Sequence, residues 1–332
     1  MGCFANVNYW PLDPEREHFL LPYDPTVQPE DCSLIIVSDD WFRTGQPFPE
    51  PVTRGIPGAC CIALDRDDGT RLRTLGKPFQ AFDLILRTHY NASTRYSGNF
   101  SPWAYGLSER VVEATREELV APERQSSLLA NWRHTKYPHS MRLAVERELL
   151  PRLREIMPID EARENIDEPP ESPRDRLWWR ETGRRHWPAY YRRLTSSLAC
   201  AAFGGFFETP WPAAKESLVS RLLKRTLTMT HARTHLISQW DSWRLWESFA
   251  AGCATFHVDL DRYGCVLPVM PTNWEHYIGF DLDDPGPGLA RIRDDPGLLA
   301  RIGTAGRAWA LEHYSPAATA RRLLASVRGG TL

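Results

Sequence analysis

A chain of 332 residues, 42% of them hydrophobic, is long and apolar enough for two cored domains, yet no apolar run approaches the roughly 20 residues of a membrane-spanning helix. A formal charge of −2 gives no strong nucleic-acid-binding signal. The seven cysteines are odd in number and include no CxxC pair, so they suggest neither a zinc cage nor a disulfide framework; reduced, buried thiols in a cytoplasmic protein are the expectation.

The N-terminus, MGCFANVNYWPLDPE, lacks the basic and apolar regions of a secretory signal, and Asn6 stands where an acylation signal wants Ser or Thr. Residues 1–30 show no period and read as a surface wrap. Ser33–Val37, Gly58–Leu64 and Phe82–Arg87 are compact apolar runs that each end in polar residues, as buried parallel strands opening into loops do. Trp103–Gly106 is a candidate fourth strand and Glu109–Leu119 a candidate helix.

A boundary near residues 121–126, where Ala-Pro-Glu-Arg precedes a new apolar start, divides the chain into domains 1–122 and 123–332. Ser127–Trp132 reads as the first strand of the second domain, and Met141–Met157 as a long helix. Residues 158–176 read as a solvated loop or flap, and Trp187–Leu198 as a helix with Tyr190, Tyr191 and Leu194 facing inward. Leu198–Phe207, with its Gly204-Gly205 pair, is open between strand and loop, while Ala213–Lys224 reads as an amphipathic helix. After a Pro-rich passage, Tyr277–Leu282 is a candidate strand, and Leu289–Ile292, Gly297–His313 and Pro316–Val327 are helical. The alternation of apolar strands and helices in both halves gives an α/β fold with two parallel sheets.

The most informative stretch is His235–Val258, HLISQWDSWRLWESFAAGCATFHV. His235–Gln239 suits a buried strand, Asp241 or Ser242 can cap a helix, and Gly252 is placed to end it before a second buried run, Cys253–Val258. Arg244 and Glu247 are three apart, so both leave one flank near the positive end of that helix. Spacing alone leaves two readings, an exposed ion pair or a seat for a sugar nucleotide.

Four pieces carry a resemblance to GT-B glycosyltransferases, particularly the exostosin-like and group 1 branches. Asp241-Ser-Trp-Arg244-Leu-Trp-Glu247-Ser-Phe-Ala-Ala-Gly252-Cys253 is similar to their donor-site signature, and Tyr191 to Ala199 to the helix and strand before it. The tail from Leu289 through Tyr314-Ser315-Pro316 to Leu324 is similar to the closing helices. Leu84 to Asn91 with Trp103 to Gly106 loosely resembles the end of an N-terminal domain. The likeness spans residues 125–328 and, loosely, 80–120. It departs from the family where Ala254-Thr255 lacks a proline after Gly252-Cys253, and where Asn131-Trp132-Arg133 replaces a usual glycine.

The resemblance implies two Rossmann-like domains facing a central cleft. The implied reaction is metal-independent transfer of a sugar from a nucleotide-sugar donor, UDP- or GDP-linked, to an acceptor hydroxyl on a glycan, lipid-linked sugar or small molecule; no further cofactor is implied. Glu247 then accepts the ribose hydroxyls, and Arg244 takes the diphosphate, with Ser242 at the helix start. Arg133, His134, Lys136 and Arg142 form a second donor-binding group, or else an ordinary solvated basic loop. An inverting reaction needs a base, and His89, Asp39 and Asp40 all follow predicted strands; His89 leads because it titrates nearest neutral pH. A hydrogen-bonded loop histidine is the equal alternative.

Three Asp-x-Asp triplets, at Asp65/Asp67, Asp259/Asp261 and Asp281/Asp283, are the places to look for a divalent ion, with chance loop carboxylates the blander reading. His235, Ser238 and Asp241 lie close in sequence without a Gly-x-Ser-x-Gly elbow, and neither a P-loop nor a Gly-x-Gly-x-x-Gly motif occurs. A non-catalytic scaffold of transferase shape, and an epimerase acting on the sugar nucleotide, are the rival functions.

Overall fold

The computed structural model describes residues 26, 28–38, 49–66, 77–117, 123–132, 139–161, 168–182, 184, 186–208 and 235–327. The chain forms two compact units: Met1–Tyr90, Thr94–Ala104 and Arg321–Leu332 make one, Asn91–Ser93 and Tyr105–Ala320 the other. Residues 109–114, on the N-terminal side of the 122/123 boundary expected from sequence, belong to the second unit. The reason is packing, since Ala114 shares a core cluster with Leu129, Leu194 and Cys200.

In the first unit β1 (Leu34–Ser38), β2 (Cys60–Asp65), β3 (Leu84–Arg87) and β4 (Phe100–Pro102) are parallel and lie in chain order. Their side chains alternate between two cores, which is why the strands read as unbroken apolar runs. Ile35, Cys61, Ala63 and Ile85 pack with Phe79, Phe82 and with Val52 of α1 (Glu50–Arg54). Ile62, Leu86 and Trp103 lie on the opposite face, where Leu323 and Val327 from the end of the chain pack against them. The fourth strand sits ahead of the expected Trp103–Gly106: Trp103 still donates to Arg87 O (2.7 Å), and the backbone turns away at Gly106, φ +65°.

The second unit opens with α2 (Glu109–Ala114) and is built on a five-stranded parallel sheet. Its strands are β5 (Gln125–Leu129), β6 (Ile159–Asp160), β7 (Ser197–Ala201), β10 (Ala254–Val258) and β11 (Ile278–Phe280), in spatial order β6-β5-β7-β10-β11. Chain progression reverses between β5 and β7, a topological switch point of a doubly wound sheet. All five residues of β10 are buried, which accounts for its continuous apolar run.

The helix α3 that follows β5 starts as Met141–Ala144, widens into a π turn at Val145–Leu149 and continues as Leu150–Leu153. Pro151 supplies a cause, because its ring collides with the carbonyl four residues back and it has no N–H to offer. α4 (Pro173–Glu181) occupies the end of the segment expected to be a loop; Ser172 caps it by accepting from Asp175 N (3.2 Å). α5 (Ala189–Ser196) leads into β7.

His235–Gln239 does not add a strand to the parallel sheet. Only Ile237–Ser238 is extended, as β9, pairing antiparallel with β8 (Phe206–Phe207) in a separate ribbon. Then come α6 (Trp243–Ala250), α7 (Gly286–Asp294), α8 (Leu298–Tyr314) and α9 (Pro316–Val327). The candidate helix Ala213–Lys224 lies outside the described residues. Among the described residues no helix is long and apolar enough to cross a membrane, and six cysteines are free thiols.

Candidate functional site

Three backbone features meet at the carboxyl end of the second sheet, at its switch point. They are the start of α3 after β5, the Phe203–Gly205 turn after β7, and the start of α6. Ligands of open α/β sheets gather at this position. Gly205 has φ +93°, accepts a hydrogen bond from Met141 N (3.1 Å) and lies so close to Ser238 O that a Cβ there would collide with it. Gly204 is less tight, since a Cβ there would fall 3.3 Å from Gln239 O and 3.5 Å from the Cβ of Ser242. Gly205 thus ties the first turn of α3 to the segment ahead of α6, and Gly204 packs against Ser242 at the start of α6.

Arg142, in the first turn of α3, donates from Nε to Phe203 O (3.0 Å). Burial, and after it the nearby Arg244 guanidinium, push its pKa down to about 10, with Glu146 opposing. Arg244, in the first turn of α6, sits with its guanidinium carbon 6.0 Å from the Tyr190 ring centroid, and its Nε is buried with no hydrogen-bond partner among the described residues. Neither arginine forms an ion pair among the described residues. The Arg244 guanidinium lies close enough to lower the pKa of Arg142, Glu146 offsets only part of that, and two such guanidiniums outside any ion pair can seat an anion. Ser242 is the N-cap of α6 but its side chain makes no cap bond, and its buried Oγ also has no partner among the described residues. Asp241 has a structural task instead, accepting from Tyr105 N (2.9 Å) and Trp246 Nε1 (2.6 Å).

Glu247 lies one turn further along α6 and is only 9% exposed. It forms no ion pair with Arg244, so the exposed-pair reading fails on both exposure and partner. Its Oε1 accepts from Tyr191 OH (2.7 Å), and Arg110 Nη1 donates to that same hydroxyl (2.8 Å). Burial, and then the Glu247 carboxylate, hold the Tyr191 phenol well above its ordinary pKa, so it remains a proton donor. From the sequence Tyr190 and Tyr191 read as core, and nothing marks Arg110. The Arg110–Tyr191 bond spans 81 positions and the Tyr191–Glu247 bond 56, so local spacing held no signal for either.

The helix carrying Arg244 and Glu247 is anchored at its far end. Gly252 (φ +68°) closes a Schellman turn in which Cys253 N donates to Ser248 O (3.1 Å) and Gly252 N to Phe249 O (2.9 Å). Arg124 adds bonds to Gly252 O (2.9 Å), Ser197 O (3.1 Å) and Ala251 O, complementing the negative helix end.

Of the other expected site residues, Asp39, Asp40, Arg133, His134 and Lys136 lie outside the described residues. His89 follows β3 in the first unit, is 4% exposed, and has φ +54°, an uncommon left-handed conformation for a non-glycine residue. Near it the buried Asp65–Arg87 ion pair and the bond from Thr88 N to Asp65 O (2.9 Å) fix the ends of β2 and β3.

The Asp-x-Asp triplets are occupied with backbone and arginine. Asp65 pairs with Arg87, and Asp67 is outside the described residues. Asp259 Oδ1 accepts from Asp261 N (3.1 Å), while Asp281 Oδ1 accepts from Asp283 N (3.0 Å) and pairs with Arg262 (3.0 Å). Among the described residues no group of three or more His, Cys, Asp or Glu is placed to hold a metal ion. Nor do His235, Ser238 and Asp241 converge, because His235 pairs with Asp283 (3.3 Å).

No family model matches the chain, and no curated protein matches it in sequence. Solved structures give distant likenesses. An alpha-glucosyltransferase in complex with UDP and a 13-mer DNA is 11% identical, with 90% of this chain and 80% of that one covered at a TM-score of 0.48. The complex of an alpha-glucosyltransferase with UDP-glucose and abasic-site DNA is 9% identical, covering 90% and 81% at a TM-score of 0.44. A mutant of S. aureus TarM with fondaparinux, alpha-GlcNAc-glycerol and UDP is 10% identical, and this chain spans only 57% of its length, with 92% of this chain covered at a TM-score of 0.46. At such scores these likenesses carry no argument about residues or substrate.

Proposed function

We propose that the chain is a glycosyltransferase that needs no metal ion and binds a nucleoside-diphosphate sugar, UDP- or GDP-linked, at the carboxyl end of its second sheet. The observation that carries this reading is the pair Arg142 and Arg244, neither in an ion pair among the described residues, set at a switch point near the buried carboxylate of Glu247. The similarity of Asp241–Cys253 to a glycosyltransferase donor signature supports it from the sequence side.

In this reading the two guanidiniums, the Ser242 hydroxyl and the N–H groups opening α6 bind the diphosphate, and Glu247 accepts the ribose hydroxyl protons. The bond between the anomeric carbon and the diphosphate oxygen breaks, and a bond from that carbon to the acceptor oxygen forms. The acceptor proton passes to a base, and the arginines stabilise the charge left on the diphosphate. Arg133, His134 and Lys136, just ahead of α3 in sequence, complete the donor group. The second unit is thus the donor unit and the first the acceptor unit, whose base candidates are His89, Asp39 and Asp40, with His89 leading. The acceptor is a hydroxyl of a glycan, a lipid-linked sugar or a small molecule.

A thermal-shift panel of UDP-, GDP-, dTDP- and CMP-sugars tests the reading. A ligand at a hundred times its dissociation constant adds about 2.7 kcal/mol of stability. We expect one diphosphate sugar to raise the melting temperature, and Glu247→Ala to abolish that rise while still folding. A panel in which nothing shifts the wild type contradicts the proposal.

A further inference from the structure

Glu247 is held in one orientation by groups from two other helices. Arg110 sits on α2 and Tyr191 on α5, and together with Glu247 on α6 they form a single hydrogen-bonded chain. The direction of that chain is fixed by chemistry. A guanidinium only donates, an ionised carboxylate only accepts, and a phenol has one proton to give. Tyr191 must therefore send its proton to Glu247 Oε1 and receive from Arg110 on its lone pair. The Arg110 guanidinium also lies 5.6 Å from the Tyr191 ring centroid, which keeps the phenol from swinging away. The second carboxylate oxygen, Oε2, has no hydrogen-bond partner among the described residues, although Glu247 as a whole is 9% exposed. A nearly buried carboxylate with one oxygen clamped and the other unused is set to receive an incoming hydroxyl.

We propose that Arg110 and Tyr191 are positioning residues that lock Glu247 for the ribose hydroxyls, and so make this site select ribonucleoside over deoxyribonucleoside diphosphates. This rests on the reading of Glu247 as the ribose acceptor. The selectivity follows from preorganisation: a site built around a buried hydrogen-bonding group discriminates strongly against an analogue that leaves that group unpaired. If the carboxylate is free to rotate out, that penalty disappears.

The test measures dissociation constants of UDP, GDP and their 2′,3′-dideoxy analogues for the full chain and three variants, Tyr191→Phe, Arg110→Met and Arg110→Lys. For the wild type we expect the ribo form of the preferred base to bind at least about tenfold more tightly than the dideoxy form. In Tyr191→Phe and Arg110→Met that ratio should fall towards one, through weaker ribo binding and unchanged dideoxy binding, and Arg110→Lys should restore part of it. Damage to the fold would instead weaken both forms alike, and Arg110→Met, at a half-buried position, keeps the test available if Tyr191→Phe does not fold. Undiminished ribo selectivity in both Tyr191→Phe and Arg110→Met overturns the relay while leaving the donor site standing. A wild type that binds neither UDP nor GDP overturns the functional reading itself, and the relay with it.

Discussion

In the proposed donor site Arg142 and Arg244 trade stability for binding. Two partly buried like charges, whose repulsion Glu146 offsets only in part, weaken the empty protein, and an anion between them removes the repulsion. Arg244→Met should therefore leave the melting temperature of the ligand-free chain unchanged or raised, while reducing nucleoside-diphosphate affinity by about tenfold or more, as loss of a charge-assisted contact does. A scanning calorimetry trace with a lowered ligand-free transition would show that Arg244 is a structural ion instead. His257, on β10, gives a pH dependence. It is fully buried, bonded to Trp240 O (3.2 Å) and stacked on Phe203, and burial lowers its pKa to about 4. Below about 6.5 the unfolded chain takes up a proton that the folded chain refuses. Stability present above that value is then lost as pH falls towards 4, by up to roughly 3 kcal/mol from this group. His257→Gln should flatten the fall in denaturation midpoint over that window. At this scale the sequence showed the flank of α6 that bears Arg244 and Glu247, and no more. Their partners arrive from helices that only the tertiary fold brings near.

Elements were the most legible level, because strands buried on two faces leave an unmistakable apolar run. β1, β2, β3, β5, β10 and β11 all lie within the runs that marked them or overlap them closely. The misreadings share a cause. His235–Gln239 has the composition of a sheet strand, yet only two of its residues pair, with Phe206–Phe207. Residues 158–176 looked solvated because the helix they begin, at Pro173, is polar on most of its surface. Composition reports burial, and in both places it did not report partners. The Gly204-Gly205 turn illustrates how an element boundary sets the site. Gly205→Ala would put a methyl group against Ser238 O at φ +93°, so it should cost about 1–3 kcal/mol and weaken nucleotide binding along with stability. Chemical denaturation followed by the same nucleotide titration measures both; an unchanged midpoint would mean that the turn relaxes freely.

Across the whole molecule, alternation of strands and helices gave the α/β class and the two parallel sheets directly. The course of the chain end was not legible, since a helix pattern does not say which sheet it covers. Leu323 and Val327 lie on the face of the first sheet formed by Ile62, Leu86 and Trp103. Removing residues 321–332 should therefore uncover that face and speed amide exchange in β1, β2 and β3, while the amides of β10 and β11 keep their protection. Equal loss in both sheets would contradict the assignment of these residues to the first unit. The proposed donor site lies in the second unit, and its most direct test is calorimetric titration of UDP and GDP in a chelating buffer. The wild type and the Arg142→Met/Arg244→Met double variant would be compared. One of the two nucleotides is expected to bind the wild type without divalent ions and to lose that binding in the double variant. Absence of binding to the wild type, or equal binding to both proteins, would contradict it.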